Sequence, residues 1–117
     1  MLRLLRAARN TWNGLIAATR SEAAFRQELA LLLIAVPLAF FIGTDAWRRL
    51  VLIGVVLLIM IVELLNTAIE KLSDHVSPDH HVAIGRVKDM ASAAVGLSLL
   101  LAGLVWLVAL AERFGLL

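Results

Sequence analysis

Three stretches of this sequence run for most of a bilayer's width without a charged side chain, and that pattern leaves few folds open. The first extends from Leu29 to Thr44, between Glu28 and Asp45. The second begins at Leu50, meets Glu63 after Val62, and continues past Asn66 to Ile69. The third covers Met90 to Ala111. At ~1.5 Å per helical residue the third is long enough to span alone, whereas the first is short and must borrow a turn from its flanks or lie beside a thinned edge. The pattern predicts an all-α membrane protein with three transmembrane helices, at about 29–47, 50–70 and 90–111.

Composition agrees. The 117 residues are 62% hydrophobic and 17% charged, and the mean hydropathy is +0.92. A soluble domain of this size leaves roughly a third of its surface exposed, and most of that must be polar. The absence of cysteine excludes a disulfide framework, thiolate metal sites and a thiol nucleophile. A sequence pI near 9.9 invites a nucleic-acid reading, but the net charge is only +2, and the charges cluster between apolar runs as membrane flanks do. No nucleic-acid partner is expected.

Residues 1–28 form a separate segment, with the transmembrane domain over 29–117. The segment is basic, yet its apolar run starts too late for a secretory signal and no small-x-small cleavage site follows. Leu5, Ala8, Trp12, Leu15, Ile16 and Thr19 recur at helical spacing on one side, with Arg3, Arg6, Asn13 and Arg20 on the other. This is the pattern of an amphipathic surface helix with arginines toward lipid phosphate, and a plain cytoplasmic tail is the alternative. Asn13-Gly14 is a candidate break within it. Arg3, Arg6, Arg9, Arg20 and Arg26 flank the first span, and Lys71, Arg86 and Lys88 lie around the loop from Glu70 to Asp89; only Arg48, Arg49 and Arg113 fall on the other side. The excess predicts a cytoplasmic N-terminus and an external C-terminus. Trp47 and Trp106 suit interfacial belts, and Trp106 equally suits a place between helices.

The most informative residue is the carboxylate in the second span. A charge at mid-bilayer costs ~2.5–3.5 kcal/mol even on lenient scales, so Glu63 must be near an end, paired, protonated or facing a polar cavity. Glu63, Asn66, Glu70 and Asp74 follow at helical spacing and form one polar stripe. Asp89, Ser92 and Gly96 share a face of the third span, with Lys88 beside them, and Glu22, Arg26 and Glu28 precede the first. Plainer roles exist for several. Glu28 fits helix-start chemistry, Asp74 a solvated helix end, Asn66 interhelical hydrogen bonding, and Ser92 with Gly96 a small-xxx-small packing face. The adjacent His80 and His81 point apart on a helix and oppose each other on a strand, which makes a zinc site a poor expectation.

Two carboxylates on different helices suit Mg²⁺ completed by phosphate oxygens, a third carboxylate in an apolar setting can take a proton from an alcohol, and Lys88 can neutralise phosphate. That set describes phosphoryl transfer to a hydroxyl at the membrane surface, and it equally describes an ion or proton path. Neither G-x-x-x-x-G-K-[ST] nor G-x-G-x-x-G occurs in the chain.

Three blocks carry a resemblance. E-L-L-N-T-A-I-E-K-L-S-D from Glu63 to Asp74, G-R-V-K-D-M-A-S-A-A-V from Gly85 to Val95 and S-E-A-A-F-R-Q-E from Ser21 to Glu28 resemble the signature of the small integral-membrane prokaryotic diacylglycerol kinases. The likeness runs from roughly Arg3 to Ala111. It implies an enzyme of the bacterial inner membrane that moves the γ-phosphate of MgATP onto diacylglycerol, giving phosphatidic acid, and a homotrimer whose active sites are shared between subunits. By the same resemblance Glu63 looks like the general base, Glu22 and Glu70 like Mg²⁺-linked carboxylates, and Asn66 like a support of that cluster. Lys88 and Asp89 resemble the nucleotide-binding pair, with Asp79, His80 and His81 also near nucleotide and Arg3 reaching phosphate or lipid. Lipid contacts would come from Ala7, Arg26, Gln27, Glu28, Ser92 and Trp106. One position departs from the pattern: Asn10 stands among the nucleotide-facing residues where the family can place an aromatic, which alters the adenine contact and not the chemistry. Alternatives are a kinase of the same fold acting on undecaprenol, a small proton-coupled transporter using Glu63, and a non-catalytic scaffold. The Ser21 to Glu28 block favours diacylglycerol.

Overall fold

The structure is a computed structural model, and it describes residues 1–77, 79 and 81–117. Among the described residues the chain forms four helices and no strand: α1 (Leu2–Ser21), α2 (Ala23–Ile42), α3 (Ala46–Val76) and α4 (Val82–Arg113). The last three are long and apolar enough to cross a membrane. α2 has 20 residues, or about 30 Å of helix, which matches one hydrocarbon core. It reaches that length by beginning at Ala23, six residues before the apolar run, and it stops at Ile42 because Gly43 and the cap of the next helix end it. Trp47 therefore belongs to α3, not to the first span. α3 and α4, with 31 and 32 residues, run about 46 and 48 Å and extend past their apolar runs. Their extra turns carry the Glu70, Asp74 and Lys88 end. His80, expected near nucleotide, lies outside the described residues.

α1 is one continuous helix through Asn13-Gly14, so the expected break there is corrected. A Gly costs a helix interior only about 1 kcal/mol, and the flanking Leu, Ala and Arg residues are good helix formers. α1 meets the rest of the chain at its C-terminal end, where Ala18 packs with Phe25 and Met60. Leu5 and Trp12, on its apolar side, are 60% and 63% exposed.

α3 is the central helix. Its most extensive contact is with α4, the next with α2, while α2 and α4 barely touch. The α3–α4 pair is antiparallel, and its register is fixed by contacts along its length: Arg48 with Glu112, Leu52 with Trp106, Val55 and Ile59 with Ala102, and Asp74 with Lys88. Ala91, Ser98, Ala102 and Ala109 form the buried stripe of α4. Small side chains at this spacing let the two backbones approach, as membrane helix interfaces require. Ser92 and Gly96, expected to pack, are exposed in the chain, since their face lies about 100° round the helix from this stripe. Around these contacts much apolar surface stays uncovered, with Leu33 70%, Leu97 67% and Leu107 65% exposed. Water does not tolerate a continuous surface of that kind, and lipid does.

The turn between α2 and α3 is short and tied down. Asp45 caps α3, its Oδ1 accepting from the Arg48 amide at 2.8 Å, and Arg48 bridges Asp45 (2.7 Å) to Glu112 (3.0 Å) at the end of α4. The Arg48 amide, followed by its guanidinium, holds the Asp45 carboxyl below the usual carboxylate range. Arg49 donates to the Gly43 carbonyl at 3.1 Å and stacks over Phe40, while Arg113 donates to the Phe41 carbonyl at 3.1 Å and stacks over Phe41. A Cβ on Gly43 would stand 2.8 Å from Arg49 Cγ and 2.9 Å from the Ala39 carbonyl oxygen.

Three outcomes are expected in detergent unfolding. Gly43→Ala destabilises by about 1–3 kcal/mol through overpacking, whereas Gly14→Ala, with open space around its Cβ, stabilises by about 0.5–1 kcal/mol. Asp45→Ala lowers the unfolding midpoint at pH 7. Because the folded pKa of Asp45 is depressed, its contribution is present above the unfolded value of about 3.9 and fades as pH falls through the folded one, so the loss shrinks at pH 3.

Candidate active site

The acids collect at the end of the bundle opposite the Arg48 cluster. Ile59 packs against Ala102, and one turn further along each helix Glu63 and Ser98 come to the same depth; both are buried. Glu63 is 8% exposed and Asn66 9%, which places a carboxylic acid and an amide between helices rather than toward lipid. The next turn brings Glu70, whose Oε1 accepts from Asn66 Nδ2 at 3.2 Å. The Asn66 Oδ1 is buried with no hydrogen-bond partner among the described residues, as is Glu28 Oε1. Glu22, Glu28 and Glu70 all lie close enough to Glu63 for their charges to interact. Four carboxyl groups from three places in the chain thus face one region. Ser98 fills the buried stripe and donates to the Val95 carbonyl at 2.7 Å, which satisfies its hydroxyl within its own helix.

Glu22 owes its position to a break in the helix. It is the one residue between α1 and α2, extended at φ −117° and ψ 113°. Its amide still donates to Ala18 O at 2.9 Å and its carbonyl accepts from Arg26 N at 3.2 Å, so backbone hydrogen bonding continues through the joint and the side chain is free of capping duty. Arg26 Nη1 donates to the carbonyls of Thr19 (3.0 Å) and Arg20 (3.1 Å), closing the end of α1 where orphan carbonyls and the helix dipole favour a cation. The guanidinium expected to touch lipid is engaged on backbone here. Gln27 beside it is exposed.

Lys88, on the first turns of α4, forms an ion pair with Asp74 of α3. Asp89 is exposed next to it, and Ser92 is exposed one turn on. His81 caps α4, its Nδ1 accepting from the Ala83 amide at 3.2 Å, and the backbone carbonyl of Asp79 accepts from the Ser77 hydroxyl at 3.3 Å. The chain does not bring every expected residue together. Arg3, Ala7 and Asn10 sit on the free part of α1, with Arg3 about 22 Å of helix from Ala18. Trp106 is half-buried at the other end, about 25 Å of helix from Asp89, with its Nε1 donating to the Leu52 carbonyl at 3.1 Å. Sequence reasoning used Lys71 only as a charge, yet its Nζ lies 3.3 Å from Glu22 Oε1. The signal was available: Lys71 follows Glu70 directly, so it rises on the flank of the acid stripe.

A model of the family described as prokaryotic diacylglycerol kinase matches residues 9–110. The chain belongs to the prokaryotic diacylglycerol kinase family. A diacylglycerol kinase of Escherichia coli is 45% identical over 97% of this chain and 93% of its own length. Diacylglycerol kinases of Haemophilus influenzae and Pseudomonas aeruginosa are 39% and 41% identical over 88% and 89% of this chain. The matched region includes α2, α3, the acid stripe and the Asp74–Lys88 pair. Membership in a kinase family implies a nucleotide substrate and usually a divalent metal, and the membrane-capable helices fit a bacterial inner-membrane protein.

Among the described residues no three His, Cys, Asp or Glu side chains form a ready metal cage. Magnesium needs none, because it keeps several waters and takes one or two carboxylates with substrate phosphates. The donor chemistry of Glu22 and Glu70, with the buried Asn66 Oδ1 unpartnered among the described residues, fits such an ion. Asn66→Asp is expected to lower stability by about 2 kcal/mol, since it removes a donor to a charged acceptor and adds a like charge; urea unfolding in micelles measures it.

Proposed function

We propose that this chain is an ATP-dependent diacylglycerol kinase, transferring the γ-phosphate of MgATP to the free lipid hydroxyl and giving phosphatidic acid and ADP. The observation that carries the proposal is the α3 stripe of buried Glu63 and Asn66 leading to exposed Glu70, in a chain of this family. Glu63 takes the proton of the lipid hydroxyl as its oxygen forms a bond to the γ-phosphorus and the bond to ADP breaks. Burial suits Glu63 to this task, because it sets the carboxyl between helices, where bulk water does not compete for the hydroxyl proton. Asn66 orients Glu70 through its amide. Glu22 and Glu70 would hold magnesium, which when bound supplies charge neutralisation across the phosphates. Lys88 and Asp89 face the nucleotide, together with Arg3, Asn10, Asp79, His80 and His81, and lipid contacts come from Ala7, Arg26, Gln27, Glu28, Ser92 and Trp106.

The N-terminus and the α3–α4 loop lie in the cytoplasm, where ATP is, and the C-terminus in the periplasm, as the distribution of Lys and Arg supports. α1 lies in the headgroup plane as an amphipathic surface helix, with exposed Leu5 and Trp12 toward acyl chains and its arginines toward phosphate. The working unit is a homotrimer with sites shared between subunits. Two features support this: the polar residues on the free part of α1 are remote from the α3 stripe of their own chain, and the buried Asn66 Oδ1 has no hydrogen-bond partner among the chain's described residues.

In mixed micelles with Mg²⁺ and γ-labelled ATP, label should appear on diacylglycerol and not on undecaprenol offered in parallel. Glu63→Gln should lower turnover by orders of magnitude with ATP binding retained, because an amide cannot accept the proton. Label on undecaprenol alone would change the lipid; label on neither, from folded protein, would remove the kinase proposal. Mixed trimers of Glu63→Gln and Glu70→Gln subunits should regain part of the activity, and no recovery would place the site within one subunit.

A further inference from the structure

The acid cluster holds a cation that the chemistry above does not use. Lys71 extends from α3 across to the α1–α2 joint, where its Nζ lies 3.3 Å from Glu22 Oε1 and 3.4 Å from Ser21 Oγ. Ser21 Oγ stands in turn 3.4 Å from Glu22 Oε1, so the three groups form a triangle. Its edges are long for charge-assisted hydrogen bonds, and the Lys71 side chain is 61% exposed. Such a contact is weak and exchangeable. Two other basic groups at this end are engaged, Arg26 on the carbonyls closing α1 and Lys88 on Asp74. The Lys71 contact also spans two elements, and between them lies a groove of about 390 Å³ lined by Thr11, Ala18, Leu64, Thr67 and Lys71.

We propose that Lys71 is the resting counter-ion of Glu22 and gives way to the magnesium ion that arrives with ATP, so that the polar tie from the α1–α2 joint to α3 lasts only until nucleotide binds, while Ala18, Phe25 and Met60 keep the joint packed. The proposal rests on Glu22 being a magnesium-linked carboxylate, as inferred above. Glu22 has one oxygen on the ammonium, and a dication with phosphate ligands competes for that oxygen with twice the charge. An ammonium held at the edge of the cluster holds the Glu22 side chain in place in the absence of metal, and its departure removes the polar tie between the last turns of α1 and α3. Lys71 is therefore a positioning residue acting through Glu22.

The chain contains no cysteine, so Thr11→Cys carries a single spin label on the wall of the groove. In the trimer in micelles the label should be restrained without ligand and mobilised by Mg²⁺ with ATP. With Lys71→Met added, it should be mobile from the start. Without the label, Lys71→Met should reduce the Mg²⁺ concentration for half-maximal activity about threefold, the scale of one surface ion pair, with kcat at saturating Mg²⁺ unchanged. Lys71→Arg should restore both properties. A restrained label and an unchanged Mg²⁺ requirement in Lys71→Met would overturn the proposal. Glu22→Gln separates the two levels. A raised Mg²⁺ requirement in Glu22→Gln beside an unaffected Lys71→Met removes only the exchange, whereas no change in Glu22→Gln removes the metal role of Glu22 and the exchange with it.

Discussion

A carboxylic acid set into a membrane-spanning helix is the costliest group in this chain, and the arrangement of the other helices answers to it. Glu63 is held on α3, the helix that both neighbours cover, and at a depth where α2 supplies Glu28 and α4 supplies Ser98. Facing lipid, the same side chain would cost several kcal/mol. Between helices it has polar company, and the cost falls on packing instead. The small residues of α4 meet that demand: Ala91, Ser98, Ala102 and Ala109 bring the backbone of α4 close to α3, and the apolar clusters around Leu52, Ile59 and Met60 complete the enclosure.

Enclosure and chemistry are two sides of one arrangement. Diacylglycerol is too apolar to leave the bilayer and ATP too charged to enter it, so hydroxyl and phosphate meet only at the boundary. α2 fits the hydrocarbon thickness, while α3 and α4 continue beyond it. The acid stripe thus begins inside the apolar layer at Glu63 and emerges from it at Glu70 and Asp74. One helix carries a buried carboxyl group on the lipid side and exposed carboxyl groups on the water side, at a spacing of a few residues.

Most of the architecture was legible in the sequence because hydrophobic length and charge placement are local properties. The three long apolar helices, the polar stripe and the paired acids follow from reading along the chain. What escaped depends on contacts between elements. The continuity of α1 through Gly14 and the exposure of Ser92 and Gly96 turn on which face of a helix meets its neighbour, and a small-xxx-small pair does not say which small residues win. On α4 the stripe through Ala91, Ser98 and Ala102 won, and it had the longer run. The start of α2 at Ala23 was hidden because charged Arg26 and Glu28 ended the apolar run before the helix ended. The capping roles of Arg26 and His81 were equally out of reach, since both depend on backbone carbonyls and amides that appear only when a helix stops.

The two ends of the bundle are fastened very differently. At the α2–α3 turn Arg48, Arg49 and Arg113 join three helices through carboxylates, carbonyls and aromatic faces within a few residues of one another. At the acid end α2 gives way to a single extended residue, Glu22, and is held to α3 by the apolar packing of Phe25 with Met60 and by the weak contact of Glu22 with Lys71. Directional bonds fix the angle between helices at one end of the bundle, whereas at the other the tie is mostly apolar and non-directional.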